Sequence, residues 1–313
     1  MSRITKAVIL AAGYGTRVLP MSKAIPKEML PIWDKPAIQY VVEELAASGI
    51  TDIIFVLSRG KTAIMEHFDR APLLEQLLRS RKTAFYDEIC DGIERVSTLA
   101  NFSCVYQTEM NGTVGALNAA RPLIHNEPFL VVFPDDVIMG EVPAAKQVLD
   151  VFDEFCGANV PGGAGVTAMQ AFPGEEILKY GSLGIGGKVK TWRDDSNAAD
   201  GVARGNAALG DSNTHGITEG FAAPITGMRE KPPTLADALS EYAIIGRIAL
   251  TYDIFPLLDG VKPGASGELY ITDAMVKLST MYGVAYTGER FDTGSKLGLY
   301  KANMYVGGLN ANA

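Results

Sequence analysis

The sequence predicts an α/β fold in which a doubly wound, mainly parallel sheet is flanked by helices. Three observations carry that expectation. Apolar runs the length of buried strands recur along the 313 residues, stretches with helical spacing separate them, and several run ends hold residues suited to ligand chemistry. Continuous rather than alternating apolar runs suit parallel strands covered on both faces.

Residues 6–12 form the first run, centred on Val8, Ile9 and Leu10, too short for a helix and read as a strand. Pro36 fits the first position of a helix carrying Ile38, Val41, Val42 and Leu45 and ending at Gly49. Strands follow at 53–57, 102–107 and 129–133, with helices at 61–68 and 73–79 before the third strand. A helix over 142–155 and a strand over 164–172 come next. Glu66-His67-Phe68 is expected to face inward, with His67 a packed residue. From about 190 to 223 Gly, Ala, Asn, Asp, Ser and Thr take over with little apolar periodicity. That stretch reads as a flexible insertion in one domain spanning 1–313, serving as a lid or a subunit contact. Strands at 242–250 and 284–287 close the series, and the string from Gly267 to Ala274 opens a helix.

Composition narrows the function. The formal net charge is −8, which argues against general binding to nucleic acid or anionic membranes and makes any anion site local. No apolar run approaches the roughly 18 residues of a bilayer span, and the run after Arg3 and Lys6 is too brief for a signal sequence. Cys90, Cys104 and Cys156 form no C-x-x-C pair, so neither a disulfide framework nor a zinc site is indicated and a cytoplasmic address is expected. His67, His125 and His215 build no H-E-x-x-H, and G-x-S-x-G is absent.

The chemistry begins where the first strand stops, at Gly13-Tyr14-Gly15. Glycines there let bare N–H groups approach a ligand. A dinucleotide fingerprint is excluded, because Val18 stands where its third glycine would be and Pro20, Pro26 and Pro31 forbid an early helix. The P-loop string is absent as well. What remains is an irregular, proline-stiffened loop carrying Arg17, Lys23 and Lys27, three cations suited to a polyphosphate. At the end of the fourth strand, Asp135 and Asp136 could hold magnesium, a hard cation that favours carboxylate and phosphate oxygens, or one could cap the next segment. Gly13, Gln107 and Asp135 all lie at strand ends and should converge.

The string G-x-G-T-R-x-L-P-x-[ST]-K-x-x-P-K-E-M-L-P, here Gly13 to Pro31, resembles the signature of nucleotidyltransferases that join an NTP to a sugar 1-phosphate. Pro26-Lys27-Glu28-Met29-Leu30-Pro31 resembles the bacterial UTP:glucose-1-phosphate uridylyltransferases in particular, and the likeness continues through Asp34-Lys35-Pro36 and Gln39-Tyr40 as far as Lys296. It implies a Rossmann-like fold of the nucleotide-diphospho-sugar transferase type and a Mg2+-dependent reaction of UTP with glucose 1-phosphate. Implied nucleotide contacts are Ala11, Ala12, Gly13, Gly15, Thr16, Glu28, Gln107 and Gly112, the glutamine reading the pyrimidine. Gly181, Glu230, Lys231 and Lys296 are implied for the sugar phosphate, Asp135 and Asp292 for the metal, and Arg17, Lys27 and Lys231 for catalysis. Thr272 and Asp273 could be ligands or early-helix polar residues.

This chain departs from the family at Gly112-Thr113-Val114-Gly115-Ala116, where Gly-Leu-Gly-His-Ala is usual. That leaves dTTP or another NTP, or another hexose 1-phosphate, as an alternative. A non-catalytic nucleotide-sensing module and an NAD-binding oxidoreductase are remoter readings. A homo-oligomer is expected, although the helical material the family uses between subunits is shorter here.

Overall fold

The computed structural model describes residues 4–157, 159–193, 219–264 and 267–311. Ten strands form one sheet: β1 (Lys6–Leu10), β2 (Asp52–Leu57), β3 (Asn101–Tyr106), β4 (Phe129–Val132), β5 (Ala164–Ala171), β6 (Ser182–Ile185), β7 (Lys190–Arg193), β8 (Glu219–Arg229), β9 (Tyr242–Leu250) and β10 (Thr280–Ala285). Their order is β7-β8-β10-β5-β9-β4-β1-β2-β3, with β6 pairing β8 and β9. β1, β2, β3 and β4 run parallel, as do β5 and β10. β9 runs antiparallel between β4 and β5, and β8 antiparallel to β7, β6 and β10. The sheet is therefore mixed but mainly parallel.

Both faces are covered, as the continuous apolar runs require. Along β1, Ala7 and Ile9 join one core with Ile38, Val41 and Val148, while Val8 joins a second with Val114, Leu117 and Phe255. This is the period-two alternation of a strand applied to two apolar layers. The first layer includes α1 (Ala37–Ala47), which starts one residue after Pro36. Next come α2 (Thr62–Phe68), α3 (Pro72–Ser80) and α4 (Ala84–Ser97), then α5 (Thr113–Ala120) and α6 (Ala144–Phe155). The sequence reading missed α4, whose only buried residue is Cys90, although Phe85, Ile89, Ile93 and Val96 recur at helical spacing.

Other expectations need correction. The ends of the supposed insertion are sheet: β7 and β8 pair from Lys190–Ala222 to Arg193–Glu219. An apolar strand does precede Glu230, as read from the sequence, but small residues hid its start: β8 begins inside the supposed insertion and pairs with β6, β7 and β10, and the remainder of the proposed insertion, 194–218, lies outside the described residues. Glu66 is exposed rather than inward. His67 is packed, its Nε2 2.9 Å from Gln39 Oε1 and its ring edge-on to Phe68. The closing helix, Lys296–Ala311, spans 16 residues.

A small two-stranded ribbon begins just past the carboxyl end of β4. Asp136–Met139 pairs antiparallel with Glu289–Asp292, matching Asp136 to Asp292. It carries the last chain segment back to the mouth of β4.

Candidate active site

Beneath the acids lies a buried clamp. Arg247 on β9 is fully buried and donates to Glu44 Oε1 and Oε2 (3.1 and 2.6 Å), and to the carbonyls of Phe133 (3.3 Å), Gly246 (3.0 Å) and Asp136 (2.9 Å). Five contacts satisfy the planar guanidinium fork. Two of them grip the residues on either side of Pro134-Asp135, so that turn has little freedom. Glu44 also accepts from the Ala145 amide at 2.9 Å.

The neighbouring acids have separate partners. Asp136 accepts from Arg290 Nε at 2.6 Å and from the Gly246 amide at 3.0 Å. Arg290 in turn lies over the stacked rings of Phe172 and Tyr180. Asp135 instead accepts from Lys27 Nζ at 2.7 Å and Arg17 Nη2 at 3.3 Å, and Arg17 Nη1 reaches Asp292 at 3.1 Å. Chain-distant pieces thus meet as expected: the basic loop, the mid-chain acid and the late aspartate.

Their ionisation differs. Burial opposes the charge on Asp135, but Lys27 and Arg17 outweigh it and hold the carboxyl at about 2. Burial lifts the Asp292 carboxyl, and Asp135 adds to that, against Arg17. Burial lowers the Lys27 ammonium, yet Asp135 and Glu28 more than restore it, so it stays charged.

Gly294 makes room between these groups. A Cβ there would lie 2.6 Å from Asp135 Oδ2 and 3.0 Å from Asp292 Oδ1. Two carboxylates flanking one small cradle fit a hard divalent cation that takes its remaining ligands from phosphate and water. Among the described residues no group of three or more His, Cys, Asp and Glu side chains forms a self-sufficient metal cage.

A cavity of about 510 Å³ opens from this cluster, lined by Arg17, Asp135, Asp292, Gly181, Glu230 and Lys231 among others. A Cβ at Gly181 would meet Glu230 Oε2 at 2.9 Å and Ile244 at 3.1 Å, so the glycine keeps the floor clear. Glu230 accepts from Thr272 at 3.1 Å. Burial raises its carboxyl pKa, against that hydroxyl and Lys231. Lys231 donates to Tyr270 Oη at 3.1 Å, and that hydroxyl donates to Glu268 at 2.8 Å.

The remaining predicted residues lie beyond this cavity's lining. Gln107 Nε2 donates to the carbonyls of Glu109 (2.9 Å) and Gly112 (3.1 Å). Gly112 (φ +96°) passes so close to Leu269 that a Cβ would lie 2.5 Å from its carbonyl oxygen. The carbonyls of Ala11 and Gly13 and both oxygens of Glu28 converge on Lys61. Thr16 and Lys23 are exposed, and Gly15 is half-buried with φ +68°. Lys296 is exposed on the first turn of the closing helix and does not line the cavity.

Sequence reading missed Lys61, Tyr270, Arg290 and Lys179, the last of which also lines the cavity. Lys61 left a usable trace, a Gly-Lys pair just past the carboxyl end of a strand. Arg290, two residues before Asp292, left none, because its role depends on the ribbon.

An α/β sheet whose strand ends gather two lysines, an arginine and two aspartates around one cavity defines a phosphate-handling transferase site. Residues 6–158 match the nucleotidyl transferase family. A UTP–glucose-1-phosphate uridylyltransferase of Staphylococcus epidermidis is 36% identical over 307 residues, covering 97% of this chain and 92% of the relative. One of Bacillus subtilis is 37% identical over 309 residues, covering 97% and 90%. Among solved structures, a UDP-glucose pyrophosphorylase complexed with UDP-glucose is 31% identical with a TM-score of 0.75, over 96% of this chain and 97% of that one. The chain belongs to the UTP–glucose-1-phosphate uridylyltransferase family.

Proposed function

We propose that this chain joins UTP to glucose 1-phosphate, forming UDP-glucose and pyrophosphate. The observation that carries the reading is the convergence of Arg17, Lys27, Asp135 and Asp292 at the mouth of a cavity whose far wall is Gly181, Glu230 and Lys231. A triphosphate on the first group and a sugar phosphate on the second place one phosphate oxygen against the α-phosphorus of the other.

The sugar phosphate is a competent nucleophile, so no covalent enzyme intermediate is required. The protein's work is alignment and charge neutralisation. Lys27 stabilises charge on the α-phosphate and leaving oxygen. Arg17, released from its bridge between the two aspartates, neutralises the β- and γ-phosphates. Lys231 holds the attacking phosphate, and Glu230 accepts from sugar hydroxyls. Gln107 and Gly112 frame the base: with its amide N–H groups held by the carbonyls of Glu109 and Gly112, the glutamine offers Oε1 as acceptor to the imide N–H of uracil. Asp135 and Asp292 are the residues to hold magnesium, which supplies charge neutralisation for the reacting phosphates. The described residues hold no helix long and apolar enough to cross a membrane.

The test is pyrophosphate release over a matrix of UTP, dTTP, ATP, CTP and GTP with several hexose 1-phosphates, with and without magnesium. UTP with glucose 1-phosphate should exceed every other pair, and only with magnesium. A dTTP preference would assign the Thr113-Val114 departure to base choice, and silence for every pair would overturn the reading.

A further inference from the structure

Lys61 has no part in the chemistry above, yet its placement is specific. It follows Gly60 just beyond β2, and its side chain is 8% exposed. Its ammonium donates to Ala11 O and Gly13 O, each at 2.6 Å, and to the Glu28 carboxylate at 3.0 and 2.8 Å. Burying a lysine is costly unless its charge and protons are answered. Burial pulls the Lys61 pKa down and pushes that of Glu28 up, and the bonds between them counter only part of either shift.

The acceptors belong to two segments of the predicted nucleotide site. The Ala11 amide still donates into the sheet, to Val56 O at 2.9 Å. Beyond it the carbonyls of Ala11 and Gly13 are drawn onto one ammonium, and Gly15 takes a left-handed backbone. Among the described residues, the amides of Ala12, Gly13, Tyr14 and Gly15 donate to no protein acceptor. Successive amides freed in this way make an anion-binding concavity. Glu28 directly follows Lys27 in a single helical turn, Lys27–Met29, so the same ammonium that shapes the glycine turn also anchors the turn that aims Lys27 at Asp135.

We propose that Lys61 is a positioning residue for the nucleotide. It keeps the glycine turn's amides open to the triphosphate and, through Glu28, fixes the segment that presents Lys27. This rests on the nucleotidyl-transfer reading, with Lys61 itself touching no reacting atom.

The test compares Lys61→Met and Lys61→Gln with the parent in steady-state kinetics, calorimetric UTP binding and thermal melts. UTP KM and Kd should each rise at least tenfold while the glucose 1-phosphate KM stays within twofold. In a Glu28→Gln background Lys61→Met should add less than threefold, because the two side chains act as one unit. UTP affinity within twofold of the parent, or equal losses for both substrates, would overturn the role. Should Lys61→Met not fold, Lys61→Gln, which keeps a donor, is judged by the same criteria. If the parent makes no nucleotide sugar from any pair, the transfer reading fails by itself. Binding of whichever NTP the parent retains then still decides Lys61.

Discussion

Lys27 and Asp135, 108 residues apart, share a 2.7 Å hydrogen bond at the mouth of the cavity. The pair sets an ammonium and a carboxylate where phosphates react, each holding the other ionised. Lys27→Ala should lower kcat by about 10²–10³-fold, the scale of a lost transition-state donor, with the glucose 1-phosphate KM changed by less than about threefold. Steady-state kinetics on a variant with parental circular dichroism checks this, and near-normal turnover would remove Lys27 from the mechanism.

Asp135 and Asp136 should separate cleanly when each is replaced by asparagine. Asp136 already serves Arg290 and the Gly246 amide, so its loss should appear mainly in urea unfolding, at about 1–3 kcal/mol for the groups left unsatisfied. Asp135→Asn should instead raise the magnesium needed for half-maximal rate several-fold. A magnesium titration matching the parent's would show that Asp135 is not a ligand.

Gly294→Ala probes the cradle between the two aspartates. The added methyl would meet Arg17 Nη2 first and lie 2.6 Å from Asp135 Oδ2, so the side-chain ends around the cradle must shift. Misplacement by about an ångström costs about 10²-fold in rate, and the melting temperature should change little. Parental kcat in Gly294→Ala would mean that the cradle tolerates a side chain.

Glu230 gives the sugar site a pH dependence. Burial, aided by Asp273 and Glu268, lifts its carboxyl above the ordinary glutamate range, so protonation begins at a higher pH than for a free side chain. A raised folded-state pKa favours the protonated fold: this contribution is fully present below the unfolded value and is lost as pH rises through the folded one. As pH falls, the ligand-free protein therefore gains stability from this group while losing the acceptor that holds sugar hydroxyls. The glucose 1-phosphate KM should rise on acidification before the UTP KM does, and Glu230→Gln should flatten that rise. An unchanged profile in Glu230→Gln would assign the titration elsewhere.

The Arg247–Glu44 clamp should dominate stability among the buried polar groups. Glu44→Gln leaves a fully buried guanidinium uncompensated, a loss of about 3–5 kcal/mol. Replacing both with Met and Leu should cost less. Equilibrium urea unfolding measures both, and a single-variant cost under about 1 kcal/mol would show that water or a neighbouring acid replaces Glu44.

Much of this was legible before any coordinates. The apolar runs gave β1, β2, β4 and β9 nearly to the residue, because strands buried on both faces leave uninterrupted Val, Ile and Leu. The Gly13 to Pro31 string and the Asp135 strand end were legible for a related reason: glycine, proline and paired acids are costly in a core and stand out against it. The start of β8 was not, because its residues are small, and α4 went unread although Phe85, Ile89, Ile93 and Val96 mark one helical face. Arg247 and Arg290 stayed hidden because a buried cation is defined by its partners, and Glu44 and Asp136 become neighbours only when the sheet forms.

The antiparallel β9 has a further consequence. It forms a seam: glycine turn, Gln107 and Lys61 lie on the β4-β1-β2-β3 flank, whereas Gly181 and Glu230 belong to the flank built from β5, β6 and β8. On the proposed assignments, nucleotide and sugar phosphate enter from opposite banks and meet at Asp135, Asp292 and their cations. Exchanging loops on one bank should then change the hexose while the choice of nucleotide is inherited intact.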